Sequence, residues 1–210
     1  MLKITKSMHT HAPVFFVLSL LTLGSACTKS FEGEYSDPSA VEIVDDRWNE
    51  SDARKSAEVL IKSMLVKPWL KNFKSRHDGQ RPVLIIDDVE NRTDEHLDIK
   101  ALMEAIRDEL INSGKIRFVN ASRRQKILDE IKYQQESGRV SSSSAKKKGR
   151  QTGADFLLGG AISSSVHSMD ELKTVTYQVN LILTNLESAE IEWSQKHSIK
   201  KRFKRAGTGW

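Results

Sequence analysis

Apolar residues recur at helical spacing in three long stretches of the chain, and each stretch predicts an amphipathic helix. Ser51, Asp98 and Ser122 are the expected N-caps, because their side-chain oxygens can accept hydrogen bonds from the first helical turn. Pro68 should end the first helix. The predicted helices cover residues 51–67, 98–113 and 122–136, with shorter helical turns over 68–76 and 146–152.

Five further stretches have the apolar content or the alternation of β-strands. They cover residues 82–89, 116–119, 155–166, 173–185 and 190–199. In the fourth, the residues expected on one face are Val175, Tyr177, Val179, Leu181 and Leu183. Helices and strands alternate early in the chain, and strands follow one another late. This order predicts an α/β (α+β) fold, with a small mixed sheet of four to five strands flanked by helices.

The N-terminus has the layout of a secretion signal. Residues 13–23 form an apolar run that is shorter than the roughly 20 residues a membrane-spanning helix needs. Small residues follow at 24–26, and then comes Cys27, the only cysteine. This arrangement resembles the bacterial lipobox, in which the cysteine thiol accepts a diacylglyceryl lipid and the new N-terminus is acylated. An ordinary signal peptide cut after Ala26, which leaves a free thiol, is the alternative.

The lipobox resemblance also implies a cellular address. Thr28 follows Cys27, whereas Asp at that position resembles an inner-membrane retention signal. We therefore expect a lipid-anchored protein of the outer membrane that faces the periplasm.

The pattern divides the chain into four segments. They are a signal peptide (1–26), a lipidated N-terminus with a short tether (27–46), a globular α/β domain (47–200) and a basic C-terminal tail (201–210). About 180 residues remain after the leader, which is enough for one hydrophobic core and too few for two of ordinary size.

The charge of the chain is mildly basic. The formal net charge of +5 falls to about +3 once Lys3 and Lys6 of the leader are removed. Basic residues concentrate at 146–150 and 200–205, so the tail is a candidate contact for peptidoglycan or another anionic envelope polymer. No aromatic platform interleaves with these lysines and export argues against it, so we predict no nucleic-acid partner.

Signatures of catalysis and metal binding are absent from the sequence. The histidines outside the leader fall in separate segments, and they are His77, His96, His167 and His197. Asp87 and Asp88 are neighbours in a predicted strand, so their side chains should point to opposite faces. Gly159 and Gly160 lie inside a predicted strand, where they favour close packing over phosphate binding. We therefore predict no enzyme activity, no catalytic residue, no metal site and no cofactor besides the lipid.

Four short stretches carry a family resemblance. They are VLIIDDVENRT (83–93), LINSGKIRFV (110–119), GADFLLG (153–159) and IEWS (191–194), in this order over about 120 residues. Together they resemble the LpoB family, outer-membrane lipoproteins that activate bifunctional class A penicillin-binding proteins. The best-known members have a long, Pro-rich tether, whereas the tether here is short and contains only Pro38.

The resemblance implies a fold like the N-terminal domain of TolB, related also to the curli secretion lipoprotein CsgG. It implies a non-enzymatic regulator that docks on a class A penicillin-binding protein and favours its active state. Asn91, Arg92 and Thr93 lie in the predicted loop between strand and helix, where binding residues are often found, so they are the candidate partner-binding residues. The alternative is that Asn91 and Thr93 satisfy hydrogen bonds of the turn itself.

Two other classes of function are alternatives to a synthase activator: a subunit of an envelope complex and a cell-wall hydrolase. The CsgG kinship allows a structural or accessory subunit of an outer-membrane assembly or secretion complex. A pore would need an apolar outer face on the last hairpin, but the residues there are Thr174, Thr176, Gln178, Asn180 and Ser194. A cell-wall hydrolase would need a carboxylate or metal cluster, which the sequence lacks.

Overall fold

A computed structural model describes residues 45–204 without interruption, together with positions 33, 35, 37, 40, 41 and 43. The elements are α1 (Glu50–Val66), α2 (Pro68–Arg76), β1 (Val83–Arg92), α3 (Ile99–Asn112), β2 (Arg117–Phe118), α4 (Arg124–Glu136), β3 (Phe156–Met169), β4 (Leu172–Asn185) and β5 (Ile191–Lys204). The five strands form one mixed sheet. The predicted α+β class and the predicted number of strands are therefore confirmed.

Helix α1 begins at a capping box two residues before the predicted N-cap. The Asn49 side chain accepts a hydrogen bond from the Asp52 amide at 3.1 Å, and the Asp52 carboxylate accepts one from the Asn49 amide at 3.0 Å. The Ser51 hydroxyl instead donates to the Ala40 carbonyl oxygen. The prediction of Ser51 as the N-cap is wrong, because the Asn49–Asp52 pair satisfies two amides at once.

The other helix boundaries match the sequence in part. Pro68 is the first residue of α2 and ends α1, since its missing amide costs nothing at that position. Asp98 caps α3 as predicted, accepting from the Ala101 amide at 2.9 Å. Ser122 does not cap α4, because a 3₁₀ turn precedes the helix and delays it to Arg124. The helix expected over 146–152 is absent, and that stretch is irregular apart from a turn at residues 148 and 149.

The sheet has the strand order β2-β1-β3-β4-β5. Strand β1 pairs in parallel with β2 and β3, and the remaining neighbours are antiparallel. Strands β3, β4 and β5 each contain 14 residues and are longer than predicted. Because β5 keeps its pairing with β4 as far as Lys204, residues 201–204 belong to the sheet and not to the expected tail. The remainder of that tail lies outside the described residues.

One face of the sheet, here called the inner face, carries the hydrophobic core. Its residues include Leu84, Phe156, Leu158, Ile162, Val175, Tyr177, Val179, Leu181, Leu183 and Trp193, all of them buried. This set contains every residue that the sequence placed on one face of β4. Trp69 and Phe73 of α2 pack edge-on against Phe156 with ring centroids 5.4 Å apart. Helices α1 and α3 complete the same core cluster.

The opposite, outer face is polar along β3, β4 and β5. Its residues include Ser163, Ser165, His167, Thr174, Thr176, Gln178, Asn180, Ser194, Lys196, Ser198, Lys200, Arg202 and Lys204. Strand β2 lies on one side of β1 and β3 on the other, so the β1–β2 and β2–β3 connections cross the sheet in opposite directions. Right-handed crossovers then place α3 on the inner face and α4 on the outer face. Only Ile131 of α4 is buried.

A bulge interrupts β1 at Asp87 and Asp88. Ile86 pairs with Leu158 and Val89 pairs with Gly160, so three steps along β1 match two along β3. Ile86 and Val89 therefore meet the same inner face, and the regular alternation between them is lost. The expectation that the two aspartates point to opposite faces assumed an unbroken pleat, which the bulge interrupts.

The close packing predicted for the glycine pair is confirmed at Gly160. A Cβ placed on this residue would overlap the backbone carbonyl oxygen of Asn180 on β4. At Gly159 an added Cβ would stand 3.3 Å from the Asp87 Cβ. Gly160 therefore lets β3 and β4 approach closely.

Candidate functional site

The candidate binding residues Asn91, Arg92 and Thr93 end β1 and open the β1–α3 loop. The Asn91 Oδ1 atom accepts hydrogen bonds from the Thr93 amide at 2.9 Å and from the Thr93 hydroxyl at 2.7 Å. The Asn91 amide nitrogen donates to the Glu95 carbonyl oxygen at 2.8 Å. These bonds form the local turn that the alternative interpretation required. A contact of these residues with a partner stays a prediction.

Arg92 forms an ion pair with Glu90, two residues earlier on the same strand. Its guanidinium donates to one Glu90 oxygen from both Nε and Nη2. This hydrogen bonding holds the pKa of the Glu90 carboxyl below its ordinary value. Both side chains are more than half exposed, so the pair is a solvated feature of the loop entrance.

Beyond Thr93, the same loop borders a groove between α1 and α3 with a volume of about 1030 Å³. The loop contributes His96, Leu97 and Asp98 to its wall. The apolar lining consists of Trp48, Ala53, Ala57, Ile61, Leu97, Ala101, Leu102 and Ala105. Four of these are alanines at i,i+4 spacing on the two helices, and their short side chains leave the space between the helices open.

The rim of this groove is acidic, although the chain as a whole is basic. Its carboxylates are Glu50, Glu58, Asp98, Asp108 and Glu109, and its cations are Arg54 and Lys62. Lys62 pairs with Glu58, and Arg54 lies 3.8 Å from Glu50. An apolar floor with an acidic rim fits an apolar segment flanked by basic residues.

A second polar feature joins the N-terminal end of the domain to the sheet, and we call it the clasp: Asp46, Asp52, Glu95, Tyr177 and Lys201. The Lys201 ammonium lies 2.6 Å from the Asp52 carboxylate and donates to the Arg47 carbonyl oxygen at 2.5 Å. Only 3% of the Lys201 side chain and 9% of the Asp52 side chain are exposed. This buried ion pair ties the start of α1 to the end of β5.

The remaining members of the clasp hold the chain just before α1. The Tyr177 hydroxyl donates to Glu95, and it also lies 3.1 Å from the Asp46 carbonyl oxygen. Burial and the neighbouring Glu95 carboxylate raise the pKa of Tyr177, so its hydroxyl stays protonated. Lys173 pairs with Asp46 and lowers the pKa of that carboxyl. The chain therefore enters the domain beside the β3–β4 turn.

Sequence reasoning missed the groove and the clasp. The predicted basic tail begins at Lys201, although Ile199, Lys201 and Phe203 continue the alternation of β5. The groove depends on how α1 packs beside α3, and no local pattern reports that packing. The Asn49-x-x-Asp52 spacing was a visible signal for the capping box.

The predictions about lipidation, metal binding and membrane spanning concern other parts of the chain. Cys27 lies outside the described residues. Over the part of the chain that the structure describes, no group of three or more His, Cys, Asp or Glu side chains could hold a metal ion. Within the same part, none of the helices has the length and apolar character needed to cross a membrane.

Comparison with known proteins gives a family for this chain. A sequence model described as "Peptidoglycan-synthase activator LpoB" matches residues 52–199. The penicillin-binding protein activator LpoB of Escherichia coli K12 is 28% identical over 120 residues, which is 57% of this chain and 53% of the relative. The LpoB of Cronobacter turicensis is 29% identical over 119 residues, 57% of this chain and 50% of the relative. The chain thus spans about half the length of the curated relatives it matches.

A solved structure gives a looser match. The LpoB C-terminal domain from Escherichia coli aligns with 70% of this chain and 98% of its own length, at 24% identity and a TM-score of 0.38. At that score the superposition carries no argument of its own. The family model, by contrast, covers well over half of the chain. The chain therefore belongs to the LpoB family of peptidoglycan-synthase activators, as its sequence motifs indicated.

Proposed function

We propose that this chain is an outer-membrane lipoprotein that binds and stimulates a bifunctional peptidoglycan synthase, a class A penicillin-binding protein, in the periplasm. The family match over residues 52–199 is the observation that carries the proposal. In this proposal the chain is a non-enzymatic regulator. The lipid attached to Cys27 holds it at the membrane, since two or more acyl chains anchor a protein stably.

The acid-rimmed groove between α1 and α3, with the adjoining β1–α3 loop, is the proposed docking surface for the synthase. The groove combines an apolar lining with charge of one predominant sign at its rim, which gives both contact area and orientation to an interface. Asn91, Arg92 and Thr93 stand at the far end of the same loop, where their turn holds them in a fixed conformation. A basic, apolar segment of the synthase is the expected counterpart.

Stimulation follows from differential binding. A ligand shifts a conformational equilibrium only by the difference in its affinity for the two states. The groove therefore has to fit the active state of the synthase better than the resting state. A tenfold preference for the active state corresponds to about 1.4 kcal/mol of coupling.

Glycan polymerisation by purified class A penicillin-binding proteins of the source organism, with and without the mature chain, tests the proposal. We expect direct binding in a pull-down and a faster synthase. A folded chain that neither binds nor accelerates any of these synthases would overturn the proposal and favour a role in an envelope assembly.

A matched pair of variants tests the docking surface. Ala105→Lys on α3 places a long cationic side chain in the groove, whereas Asn112→Lys adds the same charge at an exposed position outside it. We expect Ala105→Lys to weaken synthase binding by about tenfold or more and Asn112→Lys to leave it unchanged. Arg92→Ala tests the loop separately, and equal binding by all three variants would place the docking surface elsewhere.

A further inference from the structure

The outer-face residues of the β3–β4–β5 meander include cations and no carboxylate of their own, and Asp87 of β1 lies against Gly159, level with Ser194 and beyond the cationic residues. Lys196, Lys200, Arg202 and Lys204 project from alternate positions of β5, and all are exposed. On the outer faces of β3, β4 and β5, counted on β5 from Ser194 to Lys204, the other polar residues are Ser, Thr, Asn, Gln and His167. The cationic row extends over roughly 26 Å, at about 3.3 Å per residue.

Three of these cations have no counter-ion within the part of the chain that the structure describes. Among the described residues, Lys196, Lys200 and Arg202 form no ion pair, while Lys204 lies 4.0 Å from Glu171. Neighbouring outer-face positions on β4 are Asn180, Thr176 and Thr174, which are neutral. The row is therefore available to an external anion along most of its length.

The position of the clasp relates the cationic row of β5 to the segment that leads to the lipid anchor. Lys201 is held by the Arg47 carbonyl oxygen and Asp52, and it sits between Lys200 and Arg202 in sequence. The chain that leads back to Cys27 therefore enters the domain beside the cationic end of β5. Only 19 residues separate Cys27 from Arg47, a reach of at most about 65 Å when fully extended.

We propose that the outer face of β3, β4 and β5 lies against the anionic phospholipid headgroups of the membrane that holds the lipid anchor. This inference rests on the proposed anchoring at Cys27 and goes beyond synthase activation. A row of cations, three of them without counter-ions among the described residues, suits an anionic surface, and each Lys or Arg near such a surface strengthens binding about fivefold. The helices that form the groove cover the opposite face of the sheet, so the groove is turned away from the lipid.

Lysines on an edge strand also protect a sheet against pairing with other chains, and the test separates the two roles. The mature chain with Cys27→Ser, which cannot be acylated, is mixed with vesicles of phosphatidylglycerol and phosphatidylcholine, or of phosphatidylcholine alone. We expect binding to the anionic vesicles only, weakening as salt rises. No binding to anionic vesicles at low salt would overturn the proposal.

Two triple variants of equal charge change locate the surface. Lys196→Gln/Lys200→Gln/Arg202→Gln removes the outer-face cations, and Lys55→Gln/Lys71→Gln/Lys100→Gln removes three exposed cations of α1, α2 and α3. The first should lower vesicle binding about a hundredfold and the second by less than about threefold, since distant exposed charges are screened. Equal losses would mean that only net charge matters, and would overturn the proposal.

The same variants distinguish this inference from the proposed function. Both triple variants should stimulate the synthase in detergent solution as the parent chain does. Loss of stimulation by the outer-face variant alone, with vesicle binding intact, would make that face the synthase contact and overturn the membrane proposal. Vesicle binding by a chain that fails to stimulate any synthase would leave the membrane proposal standing. Circular dichroism and thermal unfolding check that both variants are folded.

Discussion

The Lys201 ammonium lies between the Asp52 carboxylate and the Arg47 carbonyl oxygen, with 3% of its side chain exposed. The next residue in each direction, Lys200 and Arg202, is exposed on the other face of β5. The adjacent lysines Lys200 and Lys201 therefore have opposite environments, one exposed and one buried. A buried charge is stable only when it is paired and hydrogen-bonded, which is the case for Lys201.

Lys201→Met removes one partner of this buried pair. We expect it to lower the free energy of unfolding by about 3–5 kcal/mol, because the Asp52 carboxylate would remain buried without a counter-ion. Lys200→Met is the matched control and should change stability by less than about 0.5 kcal/mol. Urea unfolding followed by circular dichroism measures both, and equal effects would contradict the buried ion pair.

His197 gives the domain a pH dependence. Its Nε2 atom is buried and has no hydrogen-bond partner among the described residues, and burial together with the Lys55 charge lowers its pKa below the ordinary 6.5. As pH falls through 6.5, the unfolded chain binds a proton before the folded chain does, so stability decreases. His197→Gln should remove this loss between pH 7 and 5, whereas the exposed His167→Gln should retain it. Unfolding free energies at the two pH values measure the difference.

Strands β3 and β4 approach closely where Gly160 lies against the backbone carbonyl oxygen of Asn180. Gly160→Ala should destabilise the domain by about 3 kcal/mol, because the added methyl group forces the two backbones apart. Gly153→Ala is the control, since an added Cβ there meets no atom within 4 Å. Thermal unfolding of both variants gives the comparison, and a Gly160→Ala chain as stable as its parent would show that the strands separate freely.

Among the helices and strands, the sequence pattern predicted the features that depend only on neighbouring residues. The alternation in β4 identified the buried face, and Asp98 and Pro68 marked helix boundaries because capping and the missing amide act within one turn. The β1 bulge and the full length of β5 escaped prediction. Both depend on the register with a neighbouring strand, β3 for the bulge and β4 for residues 201–204.

Of the candidate site, the sequence predicted the β1–α3 loop but not the groove beside it. The sequence placed Asn91, Arg92 and Thr93 in a loop after β1, and the structure puts them at the end of that strand and the start of the loop. The groove needs α1 and α3 side by side, and these helices are separated in sequence by β1 and two connections. Tertiary packing creates that surface, so no single segment encodes it.

Stability is unevenly distributed over the whole molecule. Helices α1 and α3 bury a full apolar stripe in the core, whereas α4 buries Ile131 alone and leaves Ile127 and Leu128 more than 40% exposed. We expect the amides of α4 to exchange with deuterium much faster than those of α3, because local opening of α4 exposes little apolar surface. Native-state hydrogen exchange measured by mass spectrometry tests this. Equal protection of the two helices would show that α4 opens only with the core.

The clasp also bears on how such a chain is made. Lys201 and its acceptor Arg47 are 154 residues apart, so the bond cannot form until nearly the last residue of β5 has left the ribosome. A nascent chain that stops short of that point has Asp52 without its counter-ion and α1 without the strand it packs on. The domain therefore completes its fold only after β5 has been synthesised, and until then the chain lacks the clasp that would oppose its threading through a membrane channel.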